Sequence, residues 1–136
     1  MDTKEISVFK SFVKAINQAD ISELERLMTE DHTFIDAAGK TERGREEMVK
    51  GWVWYFEMFP DYKIEIADII QKDELIAAFG TAKGTYNGKR GLVSENVIKM
   101  PAAWRAIIKG GKVKIWQVYA DWTEGMKIIE EDQKQG

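Results

Sequence analysis

At Pro60-Asp61 the apolar residues change from a helical to an alternating spacing, and that one switch confines the chain to an α+β arrangement. Upstream, Ile6, Phe9, Phe12, Val13 and Ile16 recur every three or four positions, as on one face of a first helix. Asp2 is placed to cap that helix, with Glu5 at its third position. Asn17-Gln18-Ala19 breaks the pattern, and Asp20 opens a shorter second helix that turns Leu24, Leu27 and Met28 inward. A third, aromatic helix runs from Arg45 to Phe59, with Met48, Trp52, Tyr55, Phe56 and Phe59 on its apolar positions and Pro60 ending it.

Downstream, residues 62–70, 75–86, 97–108 and 113–121 read as strands, joined at Gln71-Lys72-Asp73 and Lys109-Gly110-Gly111 by hairpin turns. Strands joined this tightly run antiparallel, so the carboxyl half is expected to be a meander onto which three helices fold. A short strand, His32 to Asp36, precedes it and stops at the turn Ala37-Ala38-Gly39-Lys40. Met126 to Ile129 closes the chain as a short helix. No repeat or linker interrupts the 136 residues, so residues 1–136 read as one domain.

Composition removes several classes of function. Hydrophobic residues at 44% and charged residues at 32% describe a folded core rather than a disordered chain. With no cysteine and one histidine there is no thiolate chemistry and no recognisable zinc or calcium pattern, so neither a metal nor another cofactor is expected. Residues 1–5 lack the charged and apolar regions of a secretion signal, and no apolar run nears membrane-spanning length; a cytoplasmic protein with no membrane partner is expected. Residues 83–114 carry eight Lys or Arg against one Glu, a local excess of seven in a chain of net charge −3. Neither stacking aromatics nor a groove-entering motif accompanies them, so they read as solvated strand edges and no nucleic-acid partner is expected.

Two residues are candidates for chemistry. Asp36 ends its strand, and His32, the one histidine, shares a strand face with Phe34 and Asp36 at a spacing compatible with a coupled acid/base pair. Each has a structural alternative. Asp36 can be a turn residue whose carboxylate accepts from its own following backbone, and His32 can be satisfied internally or exposed. The aromatic stripe of the third helix either lines a cavity or is core, with Trp52 and Trp54 facing different ways. On the last strand Val113, Ile115, Gln117, Tyr119 and Asp121 share one face and Trp116, Val118 and Ala120 the other, unless a bulge near Ile115 changes the parity.

The order of elements is accompanied by Phe59-Pro60-Asp61 before Ile64-Glu65-Ile66, by Gly80 and Gly84-Thr85, and by Gly111-Lys112-Val113 leading into Trp116-Gln117-Val118-Tyr119-Ala120-Asp121. Together these features resemble the nuclear-transport-factor-two-like superfamily, and the local sequence resembles its SnoaL-like branch. The resemblance implies a cone-shaped, curved antiparallel or mixed sheet wrapped around three helices, the cystatin-like architecture. It also implies a cavity between the sheet and the first and third helices, and homodimers through the outer sheet face. In ketosteroid isomerases of this fold a carboxylate at the end of the first strand moves a proton beside a carbonyl, and Asp36 resembles that position. The tyrosine and protonated aspartate of those enzymes correspond here to Phe12 and Trp104, which cannot supply the same donors. SnoaL-like cyclases carry an acid/base aspartate on the last strand with a histidine two residues before it, where this chain has Val118 and Trp116. Asp36, Arg105 and Asp121 are the strand-located candidates for the Asp, Arg, Asp set of epoxide-hydrolase-like members.

The resulting expectation is a pocket for a small hydrophobic, carbonyl-bearing molecule, lined by Phe12, Phe34, Trp52, Tyr55, Phe56, Trp104, Trp116 and Val118, with Asp36 as base and His32 beside it. Isomerase, cyclase and hydrolase chemistry all fit. A noncatalytic ligand-binding module and a dimeric scaffold using the outer sheet face are the alternatives.

Overall fold

The structure, a computed structural model, describes residues 1–135. The first helix, α1 (Lys4–Asn17), is capped by Thr3 rather than Asp2, the side chain accepting from the Ile6 N–H at 3.1 Å. Asp2 instead pairs with Lys10 one face away, at 2.8 Å. Phe9, Phe12, Ala15 and Ile16 of α1 are buried, as their spacing predicts. The next helix, α2 (Ile21–Leu27), opens on Asp20, whose carboxylate accepts from the Glu23 N–H at 3.1 Å. The aromatic helix α3 (Arg45–Met58) stops one residue before the expected end, because Phe59 precedes Pro60 and leaves helical geometry at φ −132°.

Six strands form one sheet: β1 (Met28–Ile35), β2 (Thr41–Arg43), β3 (Lys63–Lys72), β4 (Leu75–Thr85), β5 (Val97–Lys109) and β6 (Lys112–Ala120). Their spatial order is β2-β1-β6-β5-β4-β3, and the sheet is open, with β2 and β3 at its edges. The expected meander is β3 to β6, each pair antiparallel. β1 joins it in parallel with β6, which makes the sheet mixed and bends it around α1 and α3. β1 begins at Met28 rather than at His32, and β2, too short and polar to announce itself, was not anticipated. The closing helix α4 (Thr123–Gln133) is longer than the four residues expected.

The pairing register shifts in β1, between Met28 and Thr33, in β3 and in β6, and the shifts in β6 and β3 set which of their side chains face inward. In β6, Ile115 opposes Ile107 while Val113 opposes Ile108, so Lys114 is the extra residue. Val113 thereby turns into the core with Trp116, leaving Ile115, Gln117 and Tyr119 on the outer side. The parity problem of the last strand is thus solved by a bulge that reverses one residue only. In β3 the register shifts between Ile66 and Asp68, which keeps Ile66 and Ile69 on the inner side and Asp68 off it. The concave face buries Ile76, Ala78, Trp104, Ala106, Ile108 and Trp116 against Phe9, Phe12 and Ile16 of α1. Each large side chain so buried contributes roughly 1.5–3 kcal/mol. No helix among the described residues is long and apolar enough to cross a membrane.

Candidate functional site

The β1–β6 pairing places His32 in the interior, where it is fully buried. Its Nδ1 lies 2.7 Å from the Val113 carbonyl oxygen. A carbonyl only accepts, so Nδ1 carries the hydrogen and Nε2 presents a lone pair. Among the described residues that Nε2 has no partner, and neither does the buried indole N–H of Trp52, which α3 turns inward. Both rings lie against Phe12, whose ring centroid is 6.1 Å from that of His32 and 6.4 Å from that of Trp52. An unsatisfied buried polar group costs on the order of 1–3 kcal/mol, so an acceptor and a donor left open in one aromatic interior need a reason.

Aromatic rings surround these two residues. Trp52 meets Phe34, Tyr55 and Phe56 at centroid distances of 6.4, 6.0 and 5.4 Å, and Trp116 lies 4.8 Å from Phe12. Trp104 is buried on β5, directly opposite Val118 of β6. Trp54 points to solvent, as the helical spacing requires. In the alternating pattern Tyr62 is only the start of a strand. The turn after α3, closed by the Tyr62 N–H on the Phe59 carbonyl, folds it back so that its ring meets Tyr55 edge-on at 4.9 Å. Nothing in the local spacing marks that contact. Burial raises the Tyr62 phenol to about 12 and, with Tyr62 beside it, holds Tyr55 well above its usual range, so both remain hydrogen-bond donors.

Asp36 is half-buried just beyond the end of β1. One carboxylate oxygen accepts from the N–H groups of Ala38 and Lys40, both at 2.9 Å, which is the turn-residue geometry. Four residues of strand span about 13 Å, so His32 and Asp36 do not form the hydrogen-bonded pair that their shared face suggested. The Asp, Arg, Asp set does not assemble either. Arg105 lies between Trp104 and Ala106, which point inward, and so belongs to the outer face. Asp121 lies two residues before α4 begins, accepting from the Thr123 N–H at 2.9 Å and its hydroxyl at 2.6 Å. Among the described residues no three His, Cys, Asp or Glu cluster as a metal site would require.

The interior is closely filled. Between Tyr55, Phe59, Tyr62, Ala82, Met100 and Trp122 a void of about 10 Å³ remains, near the least that holds one water.

Burial holds the His32 imidazole below its usual 6.5, outweighing the Val113 carbonyl and the Asp31 charge, which favour protonation. The unfolded chain takes up this proton as pH falls through about 6.5 while the folded chain resists it. The contribution to stability is thus complete above that pH and is progressively lost on acidification toward the folded value. Urea unfolding at pH 7.5 and 5.5 should show this loss in the parent chain and a smaller one in His32→Gln; equal losses would contradict it.

An open, mixed sheet bent around an aromatic interior, with helices on its concave side, is a cone-shaped α+β fold. A profile of the SnoaL-like domain matches residues 9–116, and the chain belongs to that family. Solved structures similar to it include a protein with a ketosteroid isomerase-like fold from Catenulispora acidiphila, in complex with trimethylamine. That one has a TM-score of 0.76 at 17% identity, covering 88% of this chain and 89% of that one. A candidate SnoaL-like polyketide cyclase from Shewanella denitrificans has a TM-score of 0.81 at 13% identity, covering 93% and 97%. An LEH-like epoxide hydrolase from M. tuberculosis has a TM-score of 0.77 at 12% identity, covering 96% and 92%. At such identities the likeness is one of fold. Among curated proteins none matches the chain.

Proposed function

We propose that this chain binds a small hydrophobic, carbonyl-bearing molecule inside its cone and moves a proton on it, as an isomerase, cyclase or hydrolase does. The observation that carries the reading is the pair of buried, unpartnered atoms, His32 Nε2 and the Trp52 indole N–H, in an otherwise apolar interior. They are complementary. The indole N–H donates to a carbonyl oxygen, and the neutral imidazole accepts a proton from the adjacent carbon or from a water. The Val113 carbonyl, already bound to Nδ1, then steadies the imidazolium until it returns the proton. Asp36, the base that the strand-end position suggested, is the second candidate, with one oxygen committed to its own turn and the other without a hydrogen bond. The trimethylamine complex and the epoxide hydrolase among the similar structures support a small-molecule reading.

A panel of cyclic enones, linear ketones and epoxides, followed by thermal shift and by product formation, tests this directly. His32→Gln should lower turnover by roughly 10²-fold or more. Trp52→Phe, which removes the donor and keeps the ring, should weaken binding of carbonyl compounds but not of hydrocarbons. Turnover that survives both His32→Gln and Asp36→Asn would sink the assignment of the base.

A second reading, a dimeric binding scaffold, rests on the outer sheet face. There Ile70, Phe79 and Tyr119 are 61%, 45% and 51% exposed, beside the half-buried Leu75, Ile107 and Ile115. We propose that a second copy covers this face. Sedimentation at micromolar concentration should find a dimer that Phe79→Lys dissociates; a monomeric parent chain would contradict it.

A further inference from the structure

Away from the cone interior, α1 and the edge strand β3 are joined at both ends and open between. At one end, Gln71 accepts from the Thr3 hydroxyl at 2.5 Å and donates to Glu5 at 3.1 Å. At the other, the Asn17 side chain exchanges two hydrogen bonds with the Ile64 main chain, at 2.9 and 2.7 Å, and Lys63 donates to the Asn17 carbonyl at 2.7 Å. Between these struts lies a slot of about 490 Å³, lined by Ile6, Phe9 and Val13 of α1 and Ile66, Ala67 and Ile69 of β3. Asp2 and Lys10, paired with each other, form its rim.

The β3 bulge builds this lining. Without the extra residue, Asp68 would follow Ile66 onto the inner side; with it, Ile69 takes that place. Four half-buried aliphatic side chains, Ile6, Val13, Ile66 and Ile69, therefore line the slot while packing against the core on their other sides. Phe9 forms the floor, stacked at 5.3 Å on Trp116, and separates the slot from the His32 interior.

We propose that the slot between α1 and β3 is a second ligand site, which takes the alkyl or acyl chain of a small amphiphile. The volume falls within the range of small-molecule sites. Hydrogen-bonded closure at both ends leaves roughly 10 Å between Ile6 and Val13, too short for a polypeptide to run through and long enough for a medium alkyl chain. Between the struts the lining side chains are aliphatic or aromatic, so they recognise the alkyl chain, and the ligand's polar head stays in water beside the Asp2–Lys10 pair.

The test is 1-octanol, titrated into protein with labelled isoleucine methyl groups and observed by NMR, with ethanol as the short control. Saturable shifts are expected at Ile6, Ile66 and Ile69 with octanol but not ethanol, while the Trp52 indole N–H stays in place. Val13→Trp, which fills the slot, should weaken octanol binding at least tenfold. Ile69→Thr, a milder change that serves if the tryptophan variant does not fold, should weaken it severalfold. Absence of saturable shifts, shifts centred on Trp52, or affinity unchanged in the folded variants would each overturn the proposal.

Discussion

Asp132→Ala should lower Tm by roughly 10 °C or more, the largest single effect expected outside the aromatic core. Asp132 lies near the end of α4, yet it is 1% exposed. Its carboxylate accepts from the N–H groups of Lys89 and Arg90 at 2.7 and 2.8 Å and from the Asn96 side chain at 2.9 Å. Asn96, itself fully buried, also donates to the Tyr86 carbonyl and accepts two bonds from the Arg90 guanidinium. Burial opposes ionisation of Asp132, but the bonds from Asn96, Arg90 and Lys89 and the Arg90 charge outweigh it and hold the carboxyl below its usual value. Alanine leaves both loop N–H groups unpaired at once and removes one of the acceptors of the Asn96 amide. The loop also requires a glycine beside the acid: a Cβ on Gly88 would stand 2.1 Å from Asp132 Oδ2. A thermal melt of Asp132→Ala within 2 °C of the parent, an order-of-magnitude threshold for a negligible effect, would show that the clasp holds nothing.

Gly80→Ala is expected to cost about 3 kcal/mol, because the contact it creates is with backbone and not with a side chain that can turn away. A Cβ on Gly80 would stand 1.9 Å from the Glu65 carbonyl oxygen and 2.9 Å from its carbon. Glu65 and Ile66 lie just before the β3 bulge, so relief of the clash must shift the edge strand itself. Gly51 provides the contrast. A Cβ there meets only Met48, at 3.7 Å, so Gly51→Ala in α3 should stabilise the protein by roughly 0.5–1 kcal/mol. Urea unfolding of the two variants should give opposite signs, and a neutral Gly80→Ala would contradict the close approach.

The fold was legible in the sequence because periodicity reports burial directly. The change at Pro60, the caps at Asp20 and after α3, and the alternation of residues 97–108 each correspond to an element of the structure. What escaped depends on partners distant in the chain. β2 has three exposed residues and no apolar signal, and it exists because β1 offers it an edge. The inward turn of Val113 required a bulge whose position is set by pairing with Ile107 and Ile108.

The site divides in the same way. Phe12, Trp52, Trp104 and Trp116 announce themselves by size and spacing; Trp52 and Trp116 both meet Phe12, and Trp104 is buried in the same core. Asp36 has the local chemistry of a turn as well as the position of a base, and its oxygen is held by its own turn. His32 looked secondary because nothing nearby in sequence shows that Val113, 81 residues later, fixes its tautomer. The open valences of His32 and Trp52 become visible only when both are seen to lack partners.

Because the chain has a single histidine, ¹⁵N NMR of its imidazole isolates the residue on which the functional reading turns. The account predicts the Nδ1-protonated tautomer, a titration midpoint below 6.5, and displacement of the Nε2 resonance when cyclohex-2-enone is added. An ordinary midpoint near 6.5, with an Nε2 resonance that cyclohex-2-enone leaves unmoved, would contradict it.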